Sequence, residues 1–190
     1  GMRLIMDLVV NHTSDEHPWF EAAKQDRHNK YHQYYIWRRD DGSHTPPNNW
    51  ESLFSGSAWN YYEAVDSWAM HAFSKKQMDL NWDNPALRRE VYDMIDWWLA
   101  KGVDGFRMDV INTIAKQPGL PSWHPEKKGY QFAKEFMTNL PQSHAYIQEL
   151  IGKLSNDYDF ITIGEGMMAD NDACALYAGE QRGELNMMIM

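Results

Sequence analysis

A helix that stops on a glycine and turns at once into an apolar strand constrains this chain more than any other feature. Between Asn84 and Lys101, residues Leu87, Val91, Met94, Ile95, Trp98 and Leu99 recur on one helical face. Asn84 can cap this helix, Pro85 suits its first turn, and Gly102 stands where a left-handed C-terminal residue belongs. The next stretch, GVDGFRMDVI at 102–111, alternates Phe106, Met108 and Val110 with Gly105, Arg107 and Asp109. A strand here turns the arginine and the aspartate to one side and the apolar residues to the other. So tight a helix-to-strand joint is the repeating unit of an α/β fold with a parallel sheet. It also sets a charge pair at the rim of something buried. A guanidinium beside a carboxylate favours the ionised form, which is what a carboxylate nucleophile requires.

Two other apolar runs end the same way. Arg3 to Val10 encloses Asp7 and leads into Asn11 and His12, the pattern of a central strand covered on both faces. FITIG at 160–164 runs straight into Glu165. Parallel strands joined by helices bring their C-terminal ends to one rim, so Asp109 and Glu165 are expected on adjacent strands. Two carboxylates facing one cleft are the equipment of glycoside hydrolysis, one as nucleophile and one as proton donor. Separate structural salt bridges fit the same pattern. Further helices are expected near 131–138 and 144–156.

From about residue 24 to 81 the chain breaks into short aromatic pieces, with YYIW, SAWNYY and WAMHAF as candidate strands and DDG, TPPNN and SGS as turns. This reads as a loop grown into a small lobe, whose aromatics either line a cleft or pack the lobe itself.

Composition narrows the partners. With 18 Lys plus Arg against 27 Asp plus Glu, the formal charge of -9 argues against nucleic acid or an anionic membrane as the main partner. No run approaches the roughly 18 apolar residues of a membrane span. The one cysteine, Cys174, excludes an internal disulfide, and a cytoplasmic setting is the expectation. His12 and His17 are too weakly spaced to claim a metal site, and neither a metal nor a cofactor is assigned. RLIMDLVV begins at residue 3 and ELNMMIM breaks off in a fresh apolar run, the look of an internal fragment of a longer protein.

DLVVNH at 7–12, GFRMDVI at 105–111 and GE at 164–165 resemble three ordered signatures of the alpha-amylase family, glycoside hydrolase family 13. QMDLNW at 77–82 is similar to a fourth, with Met78 where the family usually carries proline. HTSDEHPWF, YYIW, PNNW, FSGSAW and LYAGEQRGEL are similar to the oligo-1,6-glucosidase branch of alpha-glucosidases. The resemblance implies a partial (β/α)8 TIM barrel holding about strands three to five and the start of six. Barrel strand three would be 1–12, an inserted domain B 13–81, and the following barrel segment 82–190.

It further implies Asp109 as nucleophile, Glu165 as general acid and base, and Arg107 as the residue that positions and ionises the nucleophile. Asp7 and His12 would shape the subsite of the non-reducing glucose, with Phe73 and Gln77 as further pocket residues. Val110 resembles the residue of enzymes that cut alpha-1,6 bonds. The implied substrate is a small oligosaccharide, cleaved by double displacement. Trehalose-6-phosphate hydrolase and isomaltulose synthase are the alternatives within enzymes, and a non-catalytic transporter heavy chain is the alternative outside them. The family's third carboxylate lies beyond Met190, so the 190 residues alone are expected neither to close a barrel nor to catalyse.

Overall fold

The computed structural model describes residues 1–190. In chain order the strands are β1 (Ile5–Leu8), β2 (His12–Ser14), β3 (Trp37–Arg39), β4 (Trp59–Tyr62), β5 (Ser67–Met70), β6 (Gln77–Asp79), β7 (Gly105–Met108), β8 (Ile161–Glu165) and β9 (Met187–Ile189). The helices are α1 (Pro18–Ala23), α2 (Pro85–Ala100), α3 (Lys134–Met137), α4 (Pro141–Leu154) and α5 (Asn171–Ala178). The chain divides into two compact units, one of 1–11, 85–116 and 137–190, the other of 12–84 and 117–136.

The first unit is a wholly parallel sheet in the order β1-β7-β8-β9, with α2, α4 and α5 in its connections, which is a partial β/α barrel. α2 buries Leu87, Val91, Tyr92, Ile95 and Leu99, each contributing about 1.5–3 kcal/mol if fully removed from water. Met94 and Trp98, expected on the same face, lie at its margin, Met94 exposed and Trp98 half-buried. The end of α2 is a Schellman motif: Gly102 takes φ +91°, its N–H reaches the Leu99 carbonyl at 2.9 Å, and the Val103 N–H reaches Trp98 O at 3.3 Å. Gly105 then lets β7 approach β8, since a Cβ there would lie 2.2 Å from the Ile161 carbonyl oxygen. The register aligns Asp7, Arg107 and Ile163 across three strands.

Two expectations change here. The strand expected over Arg3 to Val10 shortens to Ile5–Leu8, and it is not covered on both faces: Leu4, Ile5 and Val9 are exposed, because β1 is an edge strand in this chain. The helix expected near 131–138 contracts to the single turn of α3, while the one expected over 144–156 begins earlier, at Pro141, where a proline at the first helical position loses nothing.

The second unit holds an antiparallel sheet in the order β3-β5-β4 and the antiparallel pair β2-β6. Its aromatics pack the lobe. Trp50, Trp59, Trp68 and Trp82 are buried, and Trp50 donates its indole N–H to Pro121 O at 2.7 Å, Trp59 to Asn48 Oδ1 at 2.8 Å and Trp68 to Asp40 Oδ1 at 2.8 Å.

Residues 117–136 join this unit although they follow β7 in sequence, and the PNNW stretch explains why. Asn48 Nδ2 donates to Leu120 O, Asn49 Nδ2 donates to Trp123 O at 2.6 Å, and Asn49 Oδ1 accepts from the Trp123 N–H at 2.8 Å. Glu51 N–H and Gln131 N–H add backbone bonds to Gln131 O and Asn49 O.

Candidate active site

Arg107 stands on β7 with its neighbours set by the register, and its guanidinium gathers the carboxylates at the C-terminal ends of three strands. Nη1 lies 2.8 Å from Asp7 Oδ1 and 2.7 Å from Asp109 Oδ1, and Nη2 lies 2.6 Å from Glu165 Oε2. These are short, charge-assisted contacts. Burial alone would lower the Arg107 pKa, but hydrogen bonds to Asp7 and Asp109 and the charge of Glu165 outweigh it, and the net shift is upward. The arginine keeps its charge at every working pH.

The three carboxylates differ in access. The Asp109 side chain is 23% exposed and that of Glu165 33%, while Asp7 stands more open at 59%. Asp109 and Glu165 therefore share one guanidinium, are half-sheltered, and remain open to a ligand. Such a pair can supply a carboxylate nucleophile and a proton carrier at one carbon centre.

Val110 is not a strand residue. β7 ends at Met108, and Val110 takes φ 39° and ψ 40°, a left-handed conformation rare for a β-branched residue. Its side chain is buried, and it is the backbone N–H that faces the site, donating to Glu165 Oε2 at 3.2 Å. Asn112, absent from the sequence expectation, is fully buried and bonded to both backbone groups of Met167. An asparagine four residues past a strand reads as generic turn chemistry, so no sequence signal distinguished it.

Asn11 is also fully buried, with its Oδ1 3.0 Å from Thr113 Oγ1 and 3.3 Å from the buried Lys116 ammonium, which in turn donates to Thr113 O at 2.7 Å. An ammonium thus already faces the Asn11 carbonyl. No group of three or more His, Cys, Asp or Glu side chains is arranged to hold a metal ion.

His12, Phe73 and Gln77 belong to the second unit, where β2 pairs with β6. Gln77 Oε1 accepts from the Ser74 N–H at 3.1 Å, so its Nε2 is the donor toward His12 Nε2 at 3.0 Å. Phe73 packs on the His12 ring at 5.3 Å between centroids. The eight residues expected in the site thus fall into two sets, Asp7, Arg107, Asp109, Val110 and Glu165 in one unit and His12, Phe73 and Gln77 in the other.

Comparison with known proteins adds to this geometry. The family described as "Alpha amylase, catalytic domain" matches residues 1–189. An oligo-1,6-glucosidase of Halalkalibacterium halodurans is 50% identical over 190 residues, covering 99% of this chain and 34% of that protein. Among solved structures, trehalose-6-phosphate hydrolase of Bacillus licheniformis superposes with a TM-score of 0.93 at 39% identity, over 99% of this chain and 33% of that one. Isomaltulose synthase of a Klebsiella species gives a TM-score of 0.90 at 44% identity, over 98% of this chain and 33% of that one. The chain spans about a third of the length of the relatives it matches.

Proposed function

Because the chain belongs to the alpha-amylase family, matching its catalytic domain over residues 1–189, we propose that it forms part of a retaining alpha-glucosidase that releases glucose from the non-reducing end of alpha-1,6-linked isomalto-oligosaccharides. The observation that carries this reading is the Arg107 guanidinium bridging Asp109 and Glu165. In the first step an Asp109 oxygen attacks the anomeric carbon while Glu165, which has to take up a proton and give up its ion pair with Arg107 to act as the acid, passes that proton to the departing glycosidic oxygen. The C–O bond to the leaving sugar breaks as the ester to Asp109 forms. In the second step Glu165 takes a proton from water, whose oxygen displaces Asp109 and returns both carboxyls to their starting states. Arg107 stays charged throughout. His12, Phe73, Gln77 and Asp7 are proposed contacts to the bound glucose, on the family resemblance.

Retention of Arg107, Asp109 and Glu165 speaks against a non-catalytic transporter subunit. No helix is long and apolar enough to cross a membrane, and a cytoplasmic setting is proposed from the lone, free Cys174. The test is a comparison of isomaltose, maltose and trehalose 6-phosphate as substrates of the full-length protein. Isomaltose should be turned over fastest; preference for maltose would refute the role given to Val110, and preference for trehalose 6-phosphate would favour the phosphorylated-disaccharide reading.

A further inference from the structure

We propose that Asn112 is a positioning residue that fixes the Glu165 carboxylate relative to Asp109, by gripping the backbone just beyond Glu165. The inference rests on the reading of Glu165 as the general acid and base.

The β7–β8 ladder carries Glu165 only part of the way. Its register ends at Met108 with Gly164, and β9 reaches further through Glu165 with Ile189 and the Gly166 N–H to Ile189 O at 2.8 Å. From β7 itself, the strand that delivers Asp109, nothing in the ladder governs the next residues. Asn112 does. Its Oδ1 accepts from the Met167 N–H at 2.9 Å and its Nδ2 donates to Met167 O at 2.9 Å. One hydrogen bond lets a loop swivel, whereas two opposed bonds to the N–H and C=O of one residue fix both position and rotation.

The amide is itself pinned. Nδ2 also donates to Asn139 Oδ1 at 3.0 Å, and the Asn112 carbonyl accepts from the Asn139 N–H at 2.9 Å. On the other side, the turn that carries Asn112 is closed by the Thr113 N–H to Val110 O at 2.9 Å, and holds Val110 in the left-handed conformation that aims its N–H at Glu165 Oε2. The same four residues after Asp109 therefore touch Glu165 directly and grip the backbone two residues beyond it. Asparagine is the side chain this needs, because aspartate lacks the donor and leucine lacks both groups.

A misplaced general acid has a signature that general loss of stability does not share. It slows substrates whose leaving group must be protonated and spares those with an activated aryl leaving group. The experiment uses the full-length protein, measuring kcat/KM on isomaltose and on 2,4-dinitrophenyl alpha-glucoside for wild type, Asn112→Ala, Asn112→Asp and Glu165→Gln. Asn112→Ala should lose on the order of 10²-fold on isomaltose and less than about 5-fold on the aryl glucoside. Asn112→Asp, which keeps the acceptor for the Met167 N–H but turns its second oxygen against Met167 O and Asn139 Oδ1, should show the split at least as strongly, and it carries the test if the alanine variant does not fold. Equal losses on both substrates, or no loss on either, would overturn the inference while a strong split in Glu165→Gln leaves the reading of Glu165 standing. Absence of a split in Glu165→Gln itself would bring down that reading, and the role of Asn112 with it.

Discussion

Replacing Arg107 by lysine should lower kcat on the order of 10²-fold with the protein still folded, because one ammonium cannot span the two guanidinium nitrogens that now hold Asp7, Asp109 and Glu165. Steady-state kinetics with a circular-dichroism check reads this out, and near-normal kcat in the variant would show that the bridge is only structural. A second prediction concerns His71, buried in the second unit. Burial lowers its pKa, while its bond to Phe73 O and the charge of Asp79 oppose the shift. With the folded pKa below the ordinary 6.5, the unfolded chain takes up the proton first on acidification. Stability is therefore full above about pH 6.5, falls as pH drops through that value, and levels off below the folded pKa. The Tm difference between pH 7.5 and 5.5, both approximate settings, should shrink in His71→Gln. At this scale the sequence revealed the charged groups, since the alternation through β7 carries Arg107 and, one residue past the strand's end, Asp109 to the same side. It concealed Asn112 and the left-handed Val110, whose roles depend on backbone groups of Met167 and on a φ angle that no side chain announces.

Elements read from periodicity held where the pattern was local. α2 ends on Gly102 as its spacing demands, and β7 follows at once. Strand lengths were less legible, because apolar residues continue past the last ladder bond at both ends of β1. Least legible was the attachment of 117–136 to the second unit, which rests on amides more than 70 residues away in sequence pairing with backbone. Asn49→Ala should therefore free this segment, raising amide exchange across 120–131 and costing about 1–3 kcal/mol for the two lost bonds. Unchanged exchange there would mean that the backbone bonds between Asn49, Glu51 and Gln131 suffice. Gly105→Ala tests the β7–β8 approach: the added methyl meets backbone rather than a yielding side chain, and should cost roughly 1–3 kcal/mol in a urea titration.

For the whole molecule, the parallel sheet has β1 and β9 as open edges, flanked by exposed Leu4, Ile5, Val9, Met187 and Ile189. Open apolar edges of this kind invite pairing with other chains. The chain spans about a third of the length of the relatives it matches, and the activity is proposed for the full-length protein. There the Asp109 and Glu165 carboxyls should stand roughly 5–5.5 Å apart, the separation of a retaining glycosidase. The most direct measurement is to treat the full-length enzyme with 5-fluoro-alpha-glucosyl fluoride, digest it, and find the labelled peptide by mass spectrometry. A fluoroglucosyl ester on Asp109 is the predicted result, and a label on any other carboxylate, or an inverted product with no label at all, would contradict the account.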